Sequence, residues 1–258
     1  MRFRLWSTCV PLGAALIIAT ACAATRAPVT VAGECADAYG GQVCTWATLE
    51  RNGGRMVEFG ATVPIATIEG APAEGEMHWP PHATASIPLP QEARAAGFDH
   101  LKLYWEHHGH PPGPYLVPHF DFHFYTISPA ATREIDCADA RKPAAIPAGY
   151  ALPDVEIPGL GSLVGLCVPE MGMHALLNRE LQADAPFRGT MVLGYYGGRF
   201  VFVEPMITRA MLLERRSFTL DVPALPAPIP GVRYPTAFRA DYDERARAYR
   251  FRFQVRQE

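Results

Sequence analysis

The sequence has no basic run, no Cys-x-x-Cys pair, no glycine-rich phosphate loop, no nucleophile elbow and no zincin helix. Beyond its N-terminal segment it also lacks any long uninterrupted apolar stretch. Each absence removes a class. With a net charge of -3 and no basic patch, nucleic acid is not an expected partner. Missing catalytic fingerprints leave little support for a serine hydrolase, a kinase or a nicotinamide-dependent enzyme. Long helices are excluded as well, because 25 prolines and 22 glycines are spread along all 258 residues. Such punctuation favours short strands and many turns. The 49% apolar content is enough for a real core.

The expected fold is therefore mainly β, a single β-barrel or sandwich of cupin- or calycin-like kind with a few short helices. Residues 1–22 read as a signal peptide: Arg2 and Arg4 precede an uncharged apolar segment, and small residues follow. Ala19-Thr20-Ala21-Cys22 resembles a bacterial lipobox, and Ala21-Cys22-Ala23 serves equally for cleavage to a free terminus. Export, to the periplasm, an outer-membrane lipid anchor or the medium, is the expected localisation, with membrane contact only through that anchor. The apolar segment is short for a membrane span. Four further cysteines fit an oxidising compartment. The local pairings Cys35 with Cys44 and Cys137 with Cys167 are favoured, the second closing a loop worth about 3–4 kcal/mol on chain entropy.

Residues 23–40 read as a linker, 41–222 as the β-rich core domain, and 223–258 as a Pro-rich connection and C-terminal hairpin. Within the core, strands are expected at 43–49 and 56–63, joined by Arg51-Asn52-Gly53-Gly54. More are expected at 65–68, 84–89 and 101–105, with a short helix at 91–96 that ends at Gly97. Ser128-Pro129 caps another helix. The stretch 138–166 reads as a long loop, 190–196 and 199–204 as a hairpin, 207–214 as a helix and 217–222 as a strand.

The chemistry concentrates in Trp105 to Tyr125, which holds five of the nine histidines. His119-Phe120-Asp121-Phe122-His123-Phe124-Tyr125 alternates with period two, the pattern of a half-buried strand. Its phenylalanines belong to a core face, and imidazole, carboxylate and phenol to a polar one. His119, His123, His174 and Glu204 together form a plausible first shell for a divalent transition metal, whether zinc, iron, manganese or copper. Residues i and i+4 on a straight strand lie about 13 Å apart. Either the strand bends, or Asp121 lies between the two histidines and only one of them is a ligand. Asp121 and His110 are the candidate catalytic proton carriers. Other histidines have plainer readings: His78, His82 and His100 as core residues, His107 and His108 as facing water. Glu170 reads as a loop residue.

Gly109-His110-Pro111-Pro112, Pro118 to Tyr125, Pro169-Glu170-Met171-Gly172-Met173-His174 and Glu204-Pro205-Met206-Ile207-Thr208 carry a resemblance. Across residues 47–214 the chain resembles a family of largely uncharacterised exported proteins of bacteria and fungi. The resemblance implies a shared site more than a named activity. The ligand set is also similar to that of cupins, although the order is His, His, His, Glu and the His-x-His spacing is missing. That analogy places the site in the mouth of a barrel or sandwich. Three functions follow: an exported metalloenzyme acting on a small molecule, a metal- or ligand-binding envelope protein without turnover, and a structural or assembly lipoprotein with no metal.

Overall fold

The computed structural model describes residues 27–50, 54–76, 78–157, 159, 161–182 and 186–255. The signal segment, Cys22 and most of the Arg51-Asn52-Gly53-Gly54 turn lie outside these residues. In chain order the first strands are β1 (Val29–Ala38), β2 (Gly41–Leu49) and β3 (Met56–Pro64), followed by α1 (Ile65–Gly70), β4 (Ala85–Pro88), α2 (Gln91–Ala95) and β5 (His100–Glu106). The middle of the chain holds β6 (His119–Tyr125), α3 (Pro129–Arg133), β7 (Tyr150–Ala151), β8 (Val155–Ile157), β9 (Gly161–Leu163) and β10 (Met173–Leu177). Next come β11 (Gly189–Tyr196), β12 (Arg199–Thr208), α4 (Arg209–Leu213), β13 (Phe218–Leu220), β14 (Pro235–Asp243) and β15 (Ala248–Val255).

Two antiparallel sheets face each other as a sandwich, with no closed barrel. One runs β1-β2-β3-β15-β14-β13 and the other β4-β5-β6-β12-β11-β10-β7, while β8 and β9 form a separate hairpin. Between the sheets the filling is aromatic. Phe122 meets Phe251 edge-on at 4.8 Å and Phe124 meets Phe253 at 5.1 Å between centroids. Phe59 touches Phe124, Phe98 and Phe253. Such pairs add about 0.5–1.5 kcal/mol each beyond the area they bury.

Several local expectations hold. The hairpins of β2 with β3, β11 with β12 and β14 with β15 are present, and Ser128 caps α3 by accepting from the Ala131 amide. Both local disulfides are formed. Cys35 and Cys44 are directly opposed across β1 and β2.

Others are corrected. Residues 29–38 are not linker but an edge strand paired to β2. Residues 235–255 are not separate from the core domain, because β14 and β15 belong to the six-stranded sheet and β15 pairs with β3, which would otherwise be an open edge. In this hairpin arginines and aromatics alternate, with Phe238, Phe251 and Phe253 buried. Ile65 to Ile68 form a helix rather than a strand, because Pro64 ends β3 and the turn buries Ile65, Thr67 and Ile68. Thr208 remains in β12, where its hydroxyl accepts from the Met211 amide and starts α4 two residues late. The strand β6 is closed on both faces, not half-buried.

Candidate metal centre

Phenylalanines fill the space between the sheets, so the polar face of β6 points outward from the sandwich. The site therefore does not sit in a barrel mouth. It lies on the outer face of the seven-stranded sheet, beneath a cover drawn from 107–118, 153–157 and 161–172. Leu166, Val168 and Met171 of that cover pack with Tyr104, Tyr125, Val192, Phe202 and Met206 of the sheet. The Cys137–Cys167 disulfide ties the cover down.

Strand register assembles the donors. On β12, Phe202 opposes Tyr125 and Met206 opposes Asp121, which leaves Glu204 between them and opposite His123. Glu204 also opposes Val192 on β11, and Gly194 opposes both Phe202 and, from β10, His174. A Cβ at Gly194 would overlap the Phe202 ring. The missing side chain lets that ring lie flat on His123 at 4.4 Å and 12° and touch His174 at 5.2 Å.

The six expected residues divide into two triads instead of one quartet with two helpers. His123, His174 and Glu204 form one, and His110, His119 and Asp121 the other, with donor atoms within 4.8 Å of one another in each. Because β6 keeps a constant register, His119 and His123 stay apart on either side of Asp121. A straight strand cannot bring both imidazoles to one ion. Each triad thus consists of two imidazoles and one carboxylate, a set that suits zinc, iron, manganese or copper and leaves coordination positions free.

Hydrogen bonding orients the rings. His174 Nδ1 donates to the Leu166 carbonyl at 3.0 Å, His119 Nδ1 to Val117 at 2.6 Å and His110 Nδ1 to Pro111 at 2.8 Å. A carbonyl only accepts, so in the neutral ring the lone pair is on Nε2, facing the carboxylate. His123 Nδ1 lies 3.1 Å from the Tyr125 hydroxyl, which in turn reaches the Glu170 carbonyl at 3.5 Å. On the inner side, His123 Nε2 stands 2.9 Å from Glu204 Oε2 and His119 Nε2 3.4 Å from Asp121 Oδ1. None of these four buried atoms makes an aligned hydrogen bond. With the carboxylates ionised and the lone pairs on Nε2, acceptor faces acceptor, an arrangement that a proton on the carboxyl or a shared cation relieves.

Burial governs the protonation of these groups. It lifts Glu204 to about 7, partly offset by His174 and His110, and depresses His174 to about 4. Asp121 is raised well above the usual carboxylate range by burial and by the nearby Glu204 and Glu106. His119 and His123 are held well below the usual imidazole range, again mainly by burial. A cavity of about 60 Å³ joins the triads, with His110, Asp121, His174 and Glu204 in its wall. The rest is largely aliphatic, including Ile157, Leu166, Val168 and Met206, and no described lysine or arginine lines it.

Glu106 also lines the cavity and is raised to about 6 by burial. Sequence reasoning passed over it, yet the signal was there. His100, Lys102, Tyr104 and Glu106 alternate with apolar residues and oppose Tyr125, His123, Asp121 and His119 in turn. Among the plainer histidines, His100 is buried as expected and His108 is exposed. By contrast His78 and His82 are exposed, stacked on each other in a loop rather than packed in the core. The loop residue Glu170 approaches Lys102 at 3.9 Å.

The family model described as TTHB210-like, hypothetical protein TTHB210, matches residues 52–105. This segment lies within the expected span of 47–214 but stops before the histidine-rich turn, so it covers scaffold strands and none of the six site residues. No curated protein and no solved structure matches the chain. Two disulfides are consistent with an exported protein, and no helix among the described residues is long and apolar enough to cross a membrane.

Proposed function

We propose that the protein is an exported metal-dependent enzyme in which His123, His174 and Glu204 hold a divalent transition metal and a small molecule enters beside it. One observation carries this reading. The triad supplies three donors, and two of them, His174 and Glu204, form part of the wall of a cavity. Three protein ligands with open positions toward a cavity are the pattern of a catalytic site, whereas a closed four-ligand shell is that of a structural one. The aliphatic lining favours a small, mostly apolar substrate.

A second reading, metal or ligand binding without turnover, is favoured by the cavity's size, since about 60 Å³ admits little more than a few waters. Elemental analysis of the purified full chain, followed by cobalt substitution and addition of azide, separates the readings. A bound metal whose cobalt spectrum shifts with azide supports the enzyme. Bound metal with an unmoved spectrum supports the binding protein. Failure to bind zinc, manganese, iron or copper after reconstitution overturns both and returns the histidines to a structural role.

A further inference from the structure

We propose that His110, His119 and Asp121 hold a second divalent cation, so that two metal sites open onto one cavity. The inference rests on the metal reading of His123, His174 and Glu204 and extends it. The sequence suggested that Asp121 and His110 carry protons, whereas the geometry points to ligands.

Three observations converge. First, Asp121 uses its two oxygens toward two imidazoles: Oδ1 stands 3.4 Å from His119 Nε2 and Oδ2 3.8 Å from His110 Nε2. Both histidines place Nδ1 against backbone carbonyls, at 2.6 Å and 2.8 Å. Their lone pairs are therefore directed at the carboxylate and not away from it. Second, the inner atoms are closed off: His119 is 0% and Asp121 5% exposed, and neither His119 Nε2 nor Asp121 Oδ1 has a hydrogen-bond partner. Buried polar atoms of one polarity, aimed at a common point, mark a cation site.

Third, acidic groups are concentrated around the cavity. Glu106, Asp121 and Glu204 line the same cavity, and no described lysine or arginine does so. Three carboxylates carry -3 when ionised. Two divalent cations would offset all three of these charges, with a single small anion balancing the +1 that remains. Two sites of two imidazoles and one carboxylate each thus explain why three acidic side chains share so small a cavity. The triads repeat the same donor types along one face of β6 because alternate residues of a strand share a face.

Zinc titration of chelator-treated full chain, with elemental analysis after gel filtration, tests the proposal. A His78→Ala/His82→Ala background removes the exposed imidazole pair, stacked at 4.5 Å, as a surface zinc site. About two equivalents are expected, falling to about one in Asp121→Asn and to about one in Glu204→Gln. His110→Ala, at a half-buried loop position, should weaken only the second site and serves if Asp121→Asn does not fold. If the chain binds about one equivalent, lost in Glu204→Gln and kept in both Asp121→Asn and His110→Ala, the second site is overturned and the first stands. One equivalent lost in Asp121→Asn and kept in Glu204→Gln overturns the two-site arrangement from the other side. No bound zinc overturns both readings.

Discussion

Phe120, Phe122 and Phe124 leave β6 on one side, and His119, Asp121, His123 and Tyr125 on the other, and all seven are buried. The first side faces a second sheet and gains from leaving water, at about 25 cal/mol per Å² of apolar surface. Its partners are other rings, so it needs no directional contact. The opposite side loses hydration from two imidazoles, a carboxylate and a phenol. Outward-facing nitrogens of His119 and His123 are satisfied by Val117 and Tyr125, but their inner nitrogens meet carboxylates without aligned hydrogen bonds. One strand therefore carries a face that stabilises the fold and a face whose desolvation cost a bound cation would offset.

The largest expected effect is on the apolar face. Phe122→Ala should lower unfolding free energy by about 3–5 kcal/mol while the folded fraction keeps its metal stoichiometry. Denaturant melts beside elemental analysis check this, and metal loss in the still-folded variant would show that the faces are coupled. On the polar face, Glu204 makes a pH-dependent contribution that one substitution isolates. Its folded value is near 7 and its unfolded value near 4.5, so the unfolded chain gives up its proton first as pH rises. The Glu204 contribution to the stability of chelator-treated protein should then fall between pH 4.5 and about 7, by roughly 3 kcal/mol at full extent, against a contribution of opposite sign from His174, whose value is depressed to about 4. Glu204→Gln should remove that slope, and identical profiles for the two chains would contradict the assignment.

Metal acts in the opposite direction. At a hundredfold excess over its dissociation constant, zinc should stabilise the chelator-treated protein by about 2.7 kcal/mol, read as a rise in Tm. His123→Ala/His174→Ala should melt independently of zinc once Asp121→Asn removes the other triad as well. The smallest effect is that of Tyr125→Phe, which removes the hydroxyl beside His123 Nδ1 and should weaken metal binding about tenfold, or 1.4 kcal/mol, with the fold intact. Unchanged affinity would show that the hydroxyl does not orient the ring.

Much of this molecule is legible in its residues. Alternation in HFDFHFY assigned every side chain of β6 to the correct face, although it could not tell that loops would cover the polar one. Alternation is local, and burial depends on chain segments distant in sequence. The same rule, applied to His100 to Glu106, would have added Glu106 to the site. Exposed histidines at 78 and 82 were misplaced because an aromatic side chain among prolines has no periodicity to read. Likewise, Ile65 to Ile68 is apolar enough for a strand, and only packing against the end of β3 turns it into a helix.

Taken alone, the sequence determined the β-rich class and the hairpins, favoured the local disulfide pairings and singled out six candidate donor residues, since each depends on neighbours or on composition. Tertiary structure alone decided that the donors form two triads and not one quartet. Register places Glu204 opposite His123, Gly194 makes room for the Phe202 ring between the two histidines, and a straight β6 keeps His119 with Asp121 and His110. Ligand grouping is a matter of a few ångströms between separate strands, and those distances are set by pairing and packing across the whole sheet.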